Sequence, residues 1–265
     1  MIKMIATDID GTIFEWGKGF SPAVVECMRK LKDAGVKVVL VTGRMHRSAL
    51  HVANELNLGT PVISYQGALI KDCDNNILFQ KTLSKSYAKQ LINWARKNKV
   101  HINLYLDDNL YVEEDNEIIK YYTDGKHIPY TVCNFDDLEI TNVNKILAID
   151  INDADRVTGW VNELKQNYSD LYIVKSTPYF CEICSGEARK SLGVQYLSEM
   201  WGLKKDEILT IGDQNNDIDL IESGGIGVSM GNGTPELKAC ADYITETIEN
   251  DGFVKAVEKF VLVED

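Results

Sequence analysis

The sequence predicts an α/β protein whose core is a doubly wound parallel sheet, with a second domain of α+β type inserted into it. Three observations lead to this prediction. Short apolar runs alternate with amphipathic stretches in the first third of the chain, the same alternation returns in the last third, and the middle has a different pattern of closely paired strands. The 265 residues are enough to form a well-buried core without disulfides.

The first third of the chain contains three predicted strands joined by two predicted helices. The strands are apolar runs that cover residues 2–9, 36–41 and 61–64. Ser21 and Pro22 are of the types preferred at the N-cap and the first position of a helix, and Gly35 marks the end of that helix. Because strands and helices alternate, we expect neighbouring strands to run parallel, with right-handed connections.

The middle of the chain predicts a domain of mixed α+β type. Asp107, Asp108 and Asn109 form a short polar turn between two strand-like runs at residues 101–106 and 110–113. This close pairing of strands differs from the alternation of strands and helices on either side. The middle segment is therefore predicted to form a second domain.

The last third returns to the alternation of helix and strand. A predicted helix at residues 190–201 is followed by predicted strands at residues 208–211, 226–230 and 243–245. We assign residues 1–82 and 186–265 to the core and residues 83–185 to the inserted domain.

Composition limits the partners of the protein. A formal charge of −12 argues against binding to the phosphates of nucleic acid, which requires clustered Lys and Arg. It permits an anionic small substrate, because a single pocket can hold a metal cation. No apolar run approaches the ~20 residues of a membrane span, and Lys3 interrupts the N-terminus too early for a signal peptide. We therefore expect a cytoplasmic protein that binds neither nucleic acid nor membrane.

The six cysteines are expected to be reduced thiols. Only Cys181 and Cys184 have a spacing typical of metal sites, and no second pair completes a zinc site. We predict a strand in this segment, which would point the two thiols to opposite faces.

Two carboxylates stand at the end of the first predicted strand, in the run Asp8-Ile9-Asp10-Gly11-Thr12. Residues two apart in a strand share a face, so Asp8 and Asp10 emerge together at the carboxyl edge of the sheet, where α/β proteins bind ligands. Two carboxylates this close repel each other unless a cation lies between them, and oxygen ligands select a hard ion such as Mg²⁺. Asp-Gly is also a common turn, so this run alone leaves both interpretations open.

A second acidic cluster follows the strand at residues 208–211. Asp213 stands directly at the strand end and is followed by Gln214, Asn215, Asn216 and Asp217. Helix capping explains one or two such residues, but not an Asp at the strand end. If the two strands are neighbours, Asp213 faces Asp8 and Asp10 across the same edge, and the three carboxylates together require a metal ion.

Two further features indicate an anion site. Thr42 and Gly43 lie where the second strand turns towards a helix, and we expect exposed N–H groups at the start of that helix. A simple strand–helix turn is the alternative. Arg189 and Lys190 stand at the start of a later helix. Positive charge at a helix N-terminus opposes the helix dipole, so this placement suggests that an anion binds there. An ordinary surface lysine is the alternative.

Together these features resemble the haloacid dehalogenase superfamily. Its motifs correspond to Asp8-Ile9-Asp10-Gly11-Thr12, Thr42, Lys190 and Gly212-Asp213-Gln214-Asn215-Asn216-Asp217, in the order of the family and over essentially the whole chain. The run Gly227-Val228-Ser229-Met230-Gly231-Asn232-Gly233 and the later Asp251-Gly252 resemble the Cof-like branch, class IIB. In that branch the cap domain is inserted between the second and third motifs, which is where the inserted domain is predicted. One departure is Gln66, where the branch usually has Asn.

The resemblance implies a Mg²⁺-dependent phosphatase that hydrolyses small phosphorylated metabolites, with sugar phosphates favoured. It implies catalytic roles for Asp8 as nucleophile, for Asp10 as general acid and base, and for Lys190. It implies that the substrate is bound by Gly11, Thr42, Gly43, Lys190 and Asn216. It implies that Mg²⁺ is held by Asp8, Asp10 through its main-chain carbonyl, Asp213 and Asp217. Two alternatives stay open: a phosphomutase using the same site, and a non-catalytic sensor of phosphorylated sugars.

Overall fold

The structure, a computed structural model, describes residues 1–124 and 128–262. The first elements are β1 (Met4–Thr7), α1 (Pro22–Asp33), β2 (Lys37–Leu40), α2 (His46–Glu55), β3 (Val62–Ser64), β4 (Leu69–Lys71) and β5 (Ile77–Gln80). The middle elements are α3 (Lys85–Asn98), β6 (His101–Leu106), β7 (Asn109–Val112), α4 (Glu117–Thr123), β8 (Tyr130–Val132), β9 (Val143–Ile149), α5 (Ala154–Asn167), β10 (Leu171–Thr177) and β11 (Phe180–Ser185). The last elements are α6 (Lys190–Met200), β12 (Ile208–Gly212), α7 (Ile218–Ser223), β13 (Ile226–Ser229), α8 (Pro235–Cys240), β14 (Tyr243–Ile244) and α9 (Gly252–Phe260).

A five-stranded parallel sheet forms the core, in the order β14-β13-β12-β1-β2. Alternate residues of β1 pack on opposite faces: Ile5 packs with α1 and α9, while Met4 and Ala6 pack with α6 and α7. Both faces of the sheet are therefore covered by helices. The doubly wound parallel sheet predicted from the sequence is confirmed.

The predicted boundaries of the first helix are confirmed. The Ser21 hydroxyl accepts a hydrogen bond from the Val24 N–H at 3.2 Å, and Pro22 is the first helical residue. Gly35 follows the helix with φ of 73°, in the left-handed region that glycine adopts readily.

The third predicted strand joins the core sheet less completely than expected. β3 is linked to the end of β2 by a single parallel bridge between Val41 and Ile63, and its main partner is β4, which runs antiparallel to it. Tyr65 and Gln66 have φ of 53° and 59°, so the chain reverses directly after β3. As a result β3, β4 and β5 form a separate antiparallel sheet, which the sequence did not predict.

The middle of the chain forms its own six-stranded sheet in the order β10-β11-β9-β6-β7-β8. Helices α3 and α5 pack on this sheet and enclose a separate apolar core. The hairpin predicted around residues 107–109 is confirmed: Asp107 and Asp108 connect β6 to β7 with φ of 50° and 59°, as in a type I′ turn. The predicted limits of the inserted segment fall between β5 and α3 and between β11 and α6. We propose these limits as the domain boundaries.

Two further predictions concern the cysteines and the membrane. All six cysteines lie within the described residues and are free thiols, and Cys181 and Cys184 pack into different apolar clusters on opposite faces of β11. Of the helices in the described parts of the chain, none combines the length and the apolar character that crossing a membrane requires.

Candidate active site

Three strand ends meet at the carboxyl edge of the core sheet. β1 pairs with β12 on one side and with β2 on the other, so the residues that follow these strands are brought together. Asp8 is buried, and its N–H donates to the Ile211 carbonyl at 3.0 Å. Asp8, Asp213 and Asp217, all buried, each offer a carboxylate oxygen, and these oxygens lie within 4.8 Å of one another.

Lys190 lies beneath this carboxylate cluster and is completely buried. As the first residue of α6 it reaches across to the core sheet, where its Nζ donates to Asp8 Oδ1 at 2.6 Å and to Asp217 Oδ1 at 2.5 Å. Burial alone would lower the pKa of Lys190, but Asp217 and Asp8 outweigh it and raise that pKa. The ammonium therefore stays charged at a helix N-terminus, because two carboxylates offset the unfavourable helix dipole.

Burial and neighbouring carboxylates disfavour the ionised form of Asp8 and Asp213, and a bound cation would offset this. Burial raises the pKa of Asp8 well above its usual range, although Lys190 opposes this. Burial, with a further contribution from Asp217, raises the pKa of Asp213 to about 7. Three carboxylates and one ammonium leave two negative charges when all are ionised, and the donors are all oxygens. This donor set fits a hard divalent cation such as Mg²⁺.

The loop after β12 is shaped by hydrogen bonds to its own backbone. Asp217 Oδ2 accepts from the N–H groups of Asp213 and Gln214, both at 3.0 Å. Gly11 has φ of 78°, and a Cβ at this position would overlap Asp213 Oδ2. Glycine therefore lets the Asp8 loop approach the Asp213 carboxylate closely.

The carboxylate of Asp10 does not belong to this cluster, contrary to the expectation from the sequence, and is bound by Arg44 instead. Arg44 binds it with a two-pronged contact, at 2.8 Å from Nε to Oδ2 and 2.6 Å from Nη2 to Oδ1. The guanidinium of Arg44 also lies over the rings of Phe14 and Trp16, at 4.9 and 5.0 Å from the ring centroids. Sequence reasoning gave Arg44 no role, although it directly follows Thr42 and Gly43.

The turn after β2 differs from its prediction in one respect. Thr42 is buried and its hydroxyl accepts from the Arg44 N–H at 3.1 Å, so the turn is compact. Helix α2 begins only at His46, and the His46 N–H donates to Asp108 of the inserted segment at 3.1 Å. The helix N-terminus therefore lies three residues beyond Gly43, and a side chain from the cap binds its first N–H.

A cavity of about 340 Å³ opens above the sheet edge, between the core and the inserted segment. The predicted site residues that line it are Asp8, Asp10, Gly11, Thr42, Gly43, Asp213 and Asn216. The two others, Lys190 and Asp217, lie below and contact this layer. Gln66, Lys145 and Glu182 also line the cavity, and sequence reasoning gave the last two no role. Lys and Glu are usually exposed in proteins, so these two residues stand out only through their burial, which the folded structure reveals.

The fold is that of a hydrolase family. Residues 5–257 match the family of haloacid dehalogenase-like hydrolases. The chain belongs to this family. It is a phosphoric monoester hydrolase, as the names of its relatives also indicate.

The relatives match over nearly their full length. A Streptococcus pyogenes protein named "Putative phosphatase M6_Spy0533" is 30% identical over 98% of this chain and 99% of its own. The 5-amino-6-(5-phospho-D-ribitylamino)uracil phosphatase YcsE of Bacillus subtilis is 29% identical over 98% of this chain and 96% of its own. The fold is similar to that of the subclass IIB sugar phosphatase BT4131, with a TM-score of 0.89 at 23% identity, over 98% of this chain and 100% of that one.

Proposed function

We propose that this chain is a Mg²⁺-dependent cytoplasmic phosphatase that hydrolyses small phosphorylated metabolites, sugar phosphates foremost, through a phosphoryl group carried on Asp8. The observation that carries the proposal is the buried contact of Lys190 with Asp8, beside two further carboxylates at the sheet edge. A nucleophile held next to a fixed positive charge suits attack on a phosphate dianion. The free cysteines agree with a reducing compartment.

The substrate class is supported by the relatives. BT4131 is named a sugar phosphatase, and YcsE is named for a phosphorylated ribityl compound. Both names describe phosphate esters of polyhydroxylated alcohols. We extend this class to the present chain.

In the first step the Asp8 carboxylate attacks phosphorus while the bond from phosphorus to the ester oxygen breaks. Asp10 protonates that leaving oxygen, which requires its carboxyl group to turn from Arg44 towards the substrate. Water then attacks phosphorus while the bond from phosphorus to the Asp8 oxygen breaks, which releases phosphate and restores the Asp8 carboxylate. Asp10 accepts the proton of that water.

The remaining residues would bind the phosphoryl group and offset its negative charge. Thr42, Gly43, Asn216 and the backbone of Gly11 would hold the phosphoryl oxygens, with the Lys190 ammonium next to the nucleophile. Asp8, Asp213 and the Asp10 carbonyl would hold Mg²⁺, with Asp217 behind them. When bound, the ion offsets the repulsion between the carboxylate and the phosphate dianion.

The decisive experiment measures phosphate release from p-nitrophenyl phosphate and a panel of phosphorylated sugars. Asp8→Asn should lower kcat/KM by about a thousandfold or more, because the nucleophile is lost. Asp33→Asn, an exposed change of the same kind on α1, is the control and should keep the activity. Substantial Mg²⁺-dependent phosphate release by Asp8→Asn would remove Asp8 from this role.

The metal requirement is tested separately. EDTA should abolish phosphate release and added Mg²⁺ should restore it. Hydrolysis at full rate in EDTA would contradict the metal part of the proposal.

A further inference from the structure

Lys145 of β9 and Glu182 of β11 form a buried ion pair on the cap side of the cavity. Lys145 Nζ lies 2.9 Å from Glu182 Oε2, and the two side chains are only 2% and 6% exposed. Burial alone would lower the pKa of Lys145, but Glu182 outweighs it and raises that pKa, so the ammonium stays charged. Lys145 Nζ also donates to the Gly43 carbonyl at 2.7 Å. The pair therefore fixes the cap sheet over the turn that contains Thr42 and Gly43.

This arrangement leaves one oxygen of Glu182 directed at the cavity. Its Oε2 is bound by Lys145, whereas no side chain or N–H among residues 1–124 and 128–262 donates to its Oε1. Oε1 lies 3.1 Å from the point that a Cβ on Gly43 would occupy. A buried carboxylate oxygen of this kind is a strong hydrogen-bond acceptor.

Gln66 supplies an unsatisfied donor at the same place. Its Nε2 lies 2.5 Å from the same point beside Gly43, and within the described parts of the chain it has no hydrogen-bond partner although Gln66 is fully buried. The Gln66 Oε1 accepts from Asn216 Nδ2 at 3.2 Å. Turning both amides over would place an amide oxygen beside the Glu182 carboxylate, so the observed orientation is favoured. An unmade hydrogen bond of a buried donor is costly, which indicates that a ligand completes it.

A hydroxyl group satisfies both residues at once, because it donates one hydrogen bond and accepts another. We propose that Gln66 and Glu182 together bind a hydroxyl of the leaving alcohol, next to the carbon that carries the phosphate. Gln66 donates to this hydroxyl and Glu182 accepts from it, while Lys145 positions Glu182. Both residues lie beside Gly43, which is proposed above to hold the phosphoryl oxygens. This inference rests on the proposed phosphatase function. It identifies the substrate hydroxyl that the cap would recognise.

The test compares two esters that differ in one hydroxyl: sn-glycerol 3-phosphate and the monophosphate of 1,3-propanediol. For each form of the protein, the ratio of the two kcat/KM values is measured by phosphate release. Both esters are measured on the same preparation, so the fraction of folded protein cancels. The wild type should prefer the glycerol ester by about tenfold or more, because the site's polar groups stay unpaired with the other ester.

Two variants should reduce this preference to within about threefold. Glu182→Gln removes the charged acceptor. Gln66→Asn withdraws the donor by one methylene. Because Asn tolerates the left-handed backbone at this position, this variant should fold. It therefore tests the proposed hydroxyl site even if Glu182→Gln does not fold. Glu187→Gln, an exposed carboxylate outside the cavity, is the matched control and should keep the wild-type ratio.

Other outcomes overturn the inference. An equal kcat/KM for the two esters in the wild type would do so, and so would a preference that survives in Gln66→Asn. Failure of the phosphatase proposal looks different, since no phosphate would then be released even from p-nitrophenyl phosphate; in that case the inference falls with it.

Discussion

Lys190 Nζ lies 2.6 Å from Asp8 Oδ1, although 182 positions separate these residues in the chain. The first residue of α6 thus meets the end of β1, after the whole inserted segment has intervened. Lys190 also contacts Asp217, so one buried ammonium joins the two parts of the core that the inserted segment separates in the sequence. Activity should therefore depend on this single charge.

Replacing Lys190 with Met should lower kcat/KM for p-nitrophenyl phosphate by about a hundredfold or more. The change removes the positive charge next to Asp8, so the carboxylate repels the substrate more strongly. Lys97→Met, at an exposed position of α3, is the control. A Lys190→Met enzyme within threefold of the wild type, with an unchanged circular dichroism spectrum, would show that this charge is dispensable.

Gly11→Ala should raise the Mg²⁺ concentration needed for half-maximal activity by about tenfold or more. The added Cβ would overlap Asp213 Oδ2 and displace a proposed metal ligand. Gly19→Ala is a matched control, because Gly19 also has a positive φ, of 82°, but has no neighbouring atom within 4 Å of the new Cβ. Equal Mg²⁺ requirements in the two variants would mean that backbone strain, and not the displaced carboxylate, is responsible.

Asp108→Gly should lower the stability of the protein by about 1–2 kcal/mol. Asp108 Oδ1 accepts from the His46 N–H at 3.1 Å and from the Tyr65 hydroxyl at 2.7 Å, so it caps α2, whose own N-cap residue Met45 has no side-chain hydrogen bond. Glycine suits the left-handed backbone at position 108, so the substitution isolates the loss of the carboxylate.

Urea unfolding of Asp108→Gly measures this effect. Asn75→Gly serves as the control, since Asn75 also has a positive φ but lies in an exposed turn, and it should leave the midpoint nearly unchanged. If the two substitutions shift the midpoint equally, the contact of Asp108 with the core contributes no stability.

His46 should make the protein less stable in mild acid. Burial lowers the pKa of His46 from 6.5 to about 4, with Lys71 acting in the same direction and Asp108 opposing it. Between these pH values the unfolded chain binds a proton that the folded chain does not, so the free energy of unfolding falls as pH decreases from 6.5 to 4. This contribution amounts to roughly 2 kcal/mol between pH 7 and pH 5.

The pH effect is measured as urea midpoints at pH 7 and pH 5. His46→Gln should weaken the pH dependence, whereas His51→Gln, at an exposed position of the same helix, should retain it. Identical pH slopes for the wild type and His46→Gln would contradict the assignment to His46.

Much of the core could be predicted from the sequence because it depends on local signals. Apolar runs define the strands, and Ser21 with Pro22 defines the start of α1. The position of Asp8 and Asp213 directly after two such runs places them at the same sheet edge, since parallel strands end on the same side. Their order along the chain also carries the resemblance to the family.

The tertiary structure alone decided how distant side chains meet. The left-handed backbone at Gln66 reverses the chain into β4, and no local pattern announces it. Arg44 binds the Asp10 carboxylate, and Asp108 of the cap accepts a hydrogen bond from the N-terminus of α2. Glu182 meets the Gly43 turn across well over a hundred positions of sequence. The sequence thus determined the strands and the carboxylates at their ends, because periodicity and capping are local. The partners of those carboxylates depend on how the cap packs against the core, which only the folded chain defines.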